Sequence, residues 1–205
     1  MLTIPETDLV VHPLCLGGNV FGWTAGPEES HDVLSAYASH GGNFIATADV
    51  YSEWKPGNKG GESETIIGTW LKSQERSKFV VATKVAKLST RPGLRPENII
   101  AACNDSLQRL QTDYIDIYYS HHDDHEVPMA ETLGAYAQLI SEGKVPHTPF
   151  NPWNSSNQED AHHRKEGSGQ CRQPRHRRHH RIHGGDIALS HRRRLKSQRQ
   201  PQANA

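Results

Sequence analysis

The sequence predicts an α/β protein with a parallel sheet, because short apolar runs alternate with segments of helical period up to residue 145. The predicted strands begin near residues 14, 43, 79 and 114, so the strand and helix unit recurs every 29, 36 and 35 residues. Two architectures share this pattern: an open doubly wound sheet and the first half of a (β/α)8 barrel, which takes roughly 250 residues in all. The spacing alone does not separate them.

Each predicted element carries local signals at its ends. The predicted strands cover residues 14–16, 43–47, 79–83 and 114–119, and a fifth begins at residue 144. Three helices open at Pro27, Pro96 and Pro128, because proline suits a first helical turn, and Gly143 is the predicted cap after the last helix. The apolar faces predicted for the four helices are Val33, Leu34, Tyr37 and Ala38; Ile66, Ile67, Trp70 and Leu71; Ile99, Ile100, Cys103, Leu107 and Leu110; and Leu133, Tyr136, Leu139 and Ile140.

The glycine pair after the first strand argues against the doubly wound sheet. The stretch LGGNVFG lacks the G-x-G-x-x-G spacing of a dinucleotide-binding turn. The next helix also starts too late to hold a pyrophosphate at its N-terminus. The half-barrel therefore becomes the better of the two architectures.

Charge and hydropathy divide the chain near residue 145. Residues 1–145 hold 11 basic and 19 acidic side chains, and residues 146–205 hold 12 basic and 4 acidic, so the formal net charge of zero is a cancellation. The last 60 residues carry only six large apolar side chains, too few for a core. We therefore predict a partial α/β domain over residues 1–145, followed by a basic, Arg- and His-rich, disordered tail over residues 146–205.

The sequence contains no apolar stretch of about 18 residues and no signal-peptide pattern. We therefore expect a cytoplasmic protein without membrane association. The three cysteines are far apart and form no C-x-x-C pair, so neither a disulfide framework nor a zinc ribbon is predicted.

Three polar side chains follow successive predicted strands, at the edge where the loops of a parallel α/β fold converge. They are Tyr51, Lys84 and His121. A phenol beside a cation becomes a usable proton donor near neutral pH, and an imidazole orients or polarises a carbonyl oxygen. Each residue alone also fits a solvated loop, and the histidine-rich stretch SHHDDHE could equally bind a metal adventitiously. Their recurrence at strand ends favours a catalytic site.

With these residues in place, the chain resembles the N-terminal half of an aldo-keto reductase over about residues 9–145. The matching motifs occur in order: LCLGGNVFGW, NFIATADVYS, GGESETIIG, FVVATKV, and DYIDIYYSHHDD followed by PMAETLGAYAQLISEGKV. The resemblance implies the first half of a (β/α)8 TIM barrel and an oxidoreductase that reduces aldehydes or ketones, or oxidises alcohols, with NADPH or NADP. It leaves open whether this chain is active, because most cofactor contacts in the family come from the second half.

By motif, Tyr51 matches the family's proton donor, Lys84 the lysine that makes the tyrosine more acidic, and His121 the histidine that orients the substrate. The family's fourth member is an aspartate five residues before the tyrosine, where this chain has Ala46. We expect the loss of that carboxylate to weaken the hold of Lys84 on the phenol and to lower the rate by about 10² to 10⁴. Asp49 lies beyond the strand end, and we do not expect it to substitute.

The resemblance also implies a surrounding pocket for a small carbonyl or alcohol substrate. Its expected cofactor contacts are Gly18, Asn19 and Val20. Its expected entrance residues are Trp23, Trp54 and the loop 52–61, which favour an apolar or aromatic carbonyl compound. No metal site is predicted.

The tail departs from the family pattern, which continues into a segment ending in Gly-x-Ser-Asn. Our hypothesis is that residues 146–205 are an out-of-frame reading of a gene for the rest of the barrel. One alternative is a catalytically inactive half-barrel whose basic clusters, RQPRHRRHHRIH and HRRRLKSQR, bind nucleic acid; we expect this less, because no stacking aromatics follow Trp153. A zinc site at the tail histidines is also not favoured, since they lack regularly spaced cysteine or carboxylate partners. These histidines are His176, His179, His180 and His183.

A half-barrel has one further consequence for partners. Four parallel strands leave two unpaired edges and an inner face meant for a barrel interior. We therefore expect self-association through these edges, or pairing with another protein.

Overall fold

The computed structural model describes residues 1–146, which begin with a short antiparallel hairpin and continue as a parallel α/β sheet. The hairpin consists of β1 (Leu2–Thr3) and β2 (Val10–Val11). The sheet has the strand order β3-β4-β5-β6, with β3 (Leu16–Gly17), β4 (Phe44–Ala46), β5 (Val80–Val85) and β6 (Ile117–Ser120). The strands thus lie side by side in chain order, as in a barrel and unlike the reversed order of a doubly wound sheet.

A helix follows each strand of the sheet, which confirms the predicted alternation. The helices are α1 (Pro27–Ser39), α2 (Glu62–Leu71), α3 (Pro96–Leu110) and α4 (Met129–Ser141). Proline occupies the first turn of α1 and of α3, as predicted. Gly143 has φ of 71° just after α4, and its N–H bonds to Ile140, so it ends that helix as predicted.

The two faces of the sheet bury different side chains, because neighbours along a strand point to opposite faces. Ile45, Val81 and Tyr118 face the helices and belong to the main apolar core. On the other face, Val80 packs with Val11 of the hairpin in a smaller cluster. The face of the sheet that does not contact the helices therefore has its own apolar layer at one end. Its opposite end is left for polar residues.

Sequence reasoning missed the N-terminal hairpin, because two strands of two residues each show no measurable alternation. The predicted apolar faces were also too wide. Val33 is 45% exposed, and Leu133 and Ile140 are 43% and 40% exposed, because the buried stripes of α1 and α4 lie beside them. No strand is assigned at residues 144–145 within the described chain, although the Lys144 carbonyl accepts a hydrogen bond from the N–H of Ile115.

The predictions for the tail fall on residues 147–205, which lie outside the described residues. These include the disordered character of the tail, its basic clusters, the out-of-frame hypothesis and the histidine group. Within residues 1–146, no helix is both long and apolar enough to cross a bilayer. The same residues contain no group of three or more metal-ligating side chains arranged to hold an ion.

Candidate active site

Lys84 and Tyr51 lie in contact at the C-terminal edge of the sheet. Lys84 is in β5, where it is 8% exposed, and Tyr51 lies in the turn after β4. The ammonium nitrogen Nζ of Lys84 donates hydrogen bonds to Tyr51 Oη over 2.8 Å and to the carbonyl oxygen of Thr47 over 2.6 Å. An ammonium at this distance can compensate negative charge that develops on the phenol oxygen.

His121 is the residue directly after β6, and its ring lies beside this pair. Its backbone N–H bonds to the carbonyl of Val85, and its ring centroid lies 5.8 Å from that of Tyr51. Burial, together with the positive charge of Lys84, lowers the pKa of His121 to about 4, so the imidazole is neutral near neutral pH. Its Nδ1 is buried and has no hydrogen-bond partner within residues 1–146. A neutral imidazole in this position can donate one ring N–H to a carbonyl oxygen.

Ala46 lies on the same face of the sheet as Lys84. Ala46 pairs with Ala82 in the register of β4 and β5, and Lys84 is two residues further along β5. Within residues 1–146, the hydrogen bonds of the Lys84 ammonium go to a phenol and to a backbone carbonyl. Its charge therefore has no carboxylate partner among them, as the alanine at position 46 leads one to expect.

Asp49 does not take over the missing role, because its carboxylate faces the charges behind the sheet. It is 1% exposed, and neither oxygen has a hydrogen-bond partner among the described residues. Burial raises its pKa to about 7, the negative charge of Glu64 adds to the rise, and Arg109 opposes it. The backbone N–H of Asp49 bonds to the carbonyl of Lys84, which fixes the turn that carries Tyr51.

The loop after β3 contains the three expected cofactor contacts, and they differ in exposure. Gly18 is buried, its N–H bonds to the Ala46 carbonyl, and a Cβ added there would come within 2.8 Å of Ser63 Oγ. Val20 is half-buried, and its carbonyl accepts hydrogen bonds from the following turn. Asn19 is exposed at the same edge of the sheet as Lys84. Gly18 thus has a packing role here, and Asn19 is the member open to a ligand.

Two tryptophans extend the site towards the solvent. Trp23 and Trp54 are 44% and 47% exposed, and their rings meet edge to face with centroids 5.7 Å apart. The Trp54 ring lies 6.1 Å from that of Tyr51. Exposed aromatic faces beside a tyrosine hydroxyl suit an apolar or aromatic ligand, because they offer large contact area with few rotatable bonds.

Sequence reasoning missed two neighbours of Lys84. The carbonyl of Thr47 holds the ammonium, and the ring centroid of Tyr119 lies 5.5 Å from it. Burial, followed by the nearby Tyr51, raises the pKa of Tyr119 to about 12. Tyr119 pairs directly with Lys84 in the register of β5 and β6, whereas aligning the predicted strand ends, residues 83 and 119, pairs Lys84 with Ser120 instead. No sequence signal marks a backbone carbonyl as an acceptor.

Comparisons with known proteins show which sequences and structures this chain resembles. The family model described as "Aldo/keto reductase family" matches residues 13–171. An aryl-alcohol dehydrogenase from Pestalotiopsis microspora is 35% identical over 161 residues, which cover 70% of this chain and 40% of that protein. An uncharacterised 11.2 kDa protein from Pseudescherichia vulneris is 53% identical over 85 residues, covering 40% of this chain and 82% of that protein.

A solved structure gives the same result for the fold. The holo form of an aldo-keto reductase from Bacillus halodurans aligns with a TM-score of 0.62 and 29% identity, over 72% of this chain and 48% of that chain. This chain spans less than half the length of that reductase and of the aryl-alcohol dehydrogenase. The sheet corresponds to part of a TIM barrel, and the family match covers most of the sequence. The chain therefore belongs to the aldo-keto reductase family.

Proposed function

We propose that this chain contributes the proton-donor side of an oxidoreductase site that reduces an aldehyde or ketone, or oxidises the matching alcohol, with NADP(H). The observation that carries the proposal is the 2.8 Å hydrogen bond between Lys84 Nζ and Tyr51 Oη, with the His121 ring beside it. Phenol, ammonium and neutral imidazole together suit a carbonyl oxygen that must be bound and then protonated.

In the proposed reaction, the carbonyl oxygen accepts a hydrogen bond from Tyr51 Oη and one from a ring N–H of His121. A nicotinamide cofactor, when bound, would supply the hydride for the carbonyl carbon. As negative charge develops on the oxygen, the Tyr51 proton moves to it, and the Lys84 ammonium compensates the resulting phenolate. The product is an alcohol, and the same groups act in reverse when an alcohol is oxidised.

The residues present fit the reactive end of such a cofactor. Tyr51 and Lys84 lie at the C-terminal edge of the sheet, where ligands of parallel α/β barrels bind. Asn19 lies at that edge too, exposed on the loop after β3, and would be the residue of this loop to hold the cofactor. We propose NADP(H) rather than NAD(H) from the family resemblance, so both cofactors belong in any assay.

Aromatic aldehydes are the substrate class that we propose. The edge-to-face pair of Trp23 and Trp54 adjoins Tyr51, so an aromatic ring held there would place its carbonyl near the phenol. The printed name of the relative from Pestalotiopsis microspora, an aryl-alcohol dehydrogenase, supports the same class.

The proposal is tested by following nicotinamide absorbance with the purified full chain, an aromatic aldehyde such as benzaldehyde, and either NADPH or NADH. We expect Tyr51→Phe to lower the rate by at least about 10², the range for loss of a general acid. Tyr114→Phe is the matched control, because Tyr114 packs against Arg76 near the start of β6 and should leave the rate unchanged. Equal rates for both variants, or no turnover with either cofactor, would contradict the proposal.

A further inference from the structure

A backbone carbonyl accepts a hydrogen bond from the Lys84 ammonium. The groups that orient that carbonyl therefore influence the position of the ammonium. Thr47, whose oxygen accepts the 2.6 Å hydrogen bond, is the residue directly after β4. Its own N–H bonds to the carbonyl of Ala82 in β5 over 2.8 Å. This bond holds the backbone of Thr47 against β5, and a separate hydrogen bond holds its side chain.

The Thr47 side chain begins a buried chain of hydroxyl hydrogen bonds. Thr47 Oγ1 donates to Ser63 Oγ over 2.8 Å, and Ser63 Oγ donates to the carbonyl oxygen of Gly18 over 2.7 Å. Both side chains are 0% exposed. The N–H of Gly18 in turn bonds to the Ala46 carbonyl over 2.8 Å, so the path returns to the strand that carries Thr47.

This arrangement connects three parts of the site through Ser63, which lies in the first turn of α2. They are the loop after β3, the end of β4 and the ammonium of Lys84. Because both hydroxyls are fully buried, water has no ready access to replace either of them. Loss of the Ser63 hydroxyl would leave the buried Thr47 hydroxyl without its acceptor and the Gly18 carbonyl with only the N–H of Phe21. The side-chain restraint on the Thr47 carbonyl would be lost, while the bond from the Thr47 N–H to Ala82 would remain.

We propose that Thr47 and Ser63 are positioning residues for Lys84, and that their hydroxyl pair aims the Thr47 carbonyl at the ammonium where this chain lacks a strand-end carboxylate. They act through Lys84 and touch no substrate. The inference rests on the proposed roles of Tyr51 and Lys84. It predicts that weakening the hydroxyl pair loosens the contact between Lys84 and the phenol.

The test is an alkaline titration of the Tyr51 phenol, which requires no turnover. The tyrosinate absorbance of each variant is measured with and without Tyr51→Phe, and the difference isolates Tyr51. We expect Ser63→Ala and Thr47→Val each to move the midpoint to higher pH by about half to one pH unit, the size of one lost hydrogen bond. Thr47→Ser keeps the hydroxyl and should restore the parent midpoint.

Ser30→Ala is the matched control, because Ser30 is also 0% exposed and donates to a carbonyl, that of Gly26, in the first turn of α1. An unchanged midpoint in folded Ser63→Ala and Thr47→Val, or an equal shift in Ser30→Ala, would overturn the inference. If Ser63→Ala does not fold, Thr47→Val and Thr47→Ser give the same comparison.

Two further outcomes separate this inference from the proposed function. A shifted midpoint in a chain that turns over no carbonyl substrate rejects the proposed function and keeps the positioning role. Turnover together with an unmoved midpoint rejects the positioning role and keeps the proposed function. In an Ala46→Asp background, the shift caused by Ser63→Ala should shrink, because a carboxylate would then share the hold on Lys84.

Discussion

Lys84 is an almost buried cation whose described acceptors carry no formal charge. A buried ammonium is stabilised more by a carboxylate than by a carbonyl dipole, because the charge–charge attraction offsets more of the desolvation cost. The side chain at position 46 therefore strongly affects how well the Lys84 ammonium is stabilised in this site. Position 46 points to the same side of the sheet as Lys84, so a longer acidic side chain there has a direct path to the ammonium.

We expect Ala46→Asp to raise the rate of carbonyl reduction by about 10² or more, since it would supply a counter-charge to Lys84 and hold it against Tyr51. Steady-state kinetics with an aromatic aldehyde measure this. Ala46→Asn is the control, because it has nearly the same volume without the charge. A rate for the aspartate variant no higher than for the asparagine variant would show that charge at position 46 does not matter.

Asp49 links the stability of the fold to pH. Its pKa is raised by burial and by Glu64 to about 7, from 3.8, so the folded state binds this proton more tightly than the unfolded state does. The stabilisation from the protonated form is complete below the unfolded pKa and is lost as the pH rises through about 7. The ionised form would be a buried carboxylate without a hydrogen-bond partner among the described residues.

We therefore expect Asp49→Asn to raise the free energy of unfolding by a few kcal/mol at about pH 8 and by little at about pH 4. Urea unfolding at both pH values measures the difference. Asp113→Asn removes an exposed carboxylate and should have no comparable effect. The prediction fails if Asp49→Asn changes stability equally at both pH values.

A buried ion pair between Glu64 and Arg109 joins α2 to α3 behind the sheet. Arg109 Nε donates to Glu64 Oε2 over 2.6 Å, and Thr83 of β5 donates to the other oxygen over 2.5 Å. Glu64 is 0% exposed, so its charge depends on these two partners. The pair lies next to Asp49, so it also sets the electrostatic surroundings of the turn that carries Tyr51.

We expect Arg109→Met to destabilise the fold by about 3 to 5 kcal/mol, because it leaves the Glu64 carboxylate buried without its cation. Arg91→Met is the matched control. Its pair with Asp105 has side chains that are 29% and 44% exposed, so its loss should cost less than about 1 kcal/mol. Chemical denaturation of the two variants at one pH measures both values, and similar losses would contradict the distinction.

The sheet has β3 and β6 as its two edge strands among the described residues. Among residues 1–146, β3 pairs only with β4 and β6 only with β5, apart from the bond between Ile115 and Lys144. Unpaired strand edges favour association with another chain. Leu14, 62% exposed just before β3, adds apolar surface at one of these edges.

We expect the chain to self-associate through these edges, seen as a sedimentation coefficient that rises with protein concentration. Leu14→Lys should reduce the association, since a charged side chain disfavours edge pairing. Leu133→Lys changes another exposed leucine, 43% exposed on a helix rather than next to a strand edge, and should leave the association unchanged. A concentration-independent monomer would exclude this mode of assembly.

The elements with clear end signals could be predicted from the sequence. Proline opened α1 and α3, glycine ended α4, and the apolar runs marked the strands to within a few residues. The hairpin was missed because its strands are too short for a pattern, and the exposure of Leu133 was missed because periodicity gives a face but not its width. Those features depend on which elements pack against each other.

Local propensity and spacing were enough to predict the alternation of strands and helices and to place Tyr51, Lys84 and His121 near the carboxyl ends of successive strands, although Lys84 lies inside β5 rather than after it. The family came from the resemblance of ordered motifs. The acceptors of Lys84, the position of Asp49 near Glu64 and the hydrogen bond from Thr47 to Ser63 are seen only in the folded chain. The reason is physical: a hydrogen bond or a pKa shift depends on distances and burial between residues far apart in the chain, and no local pattern encodes those distances.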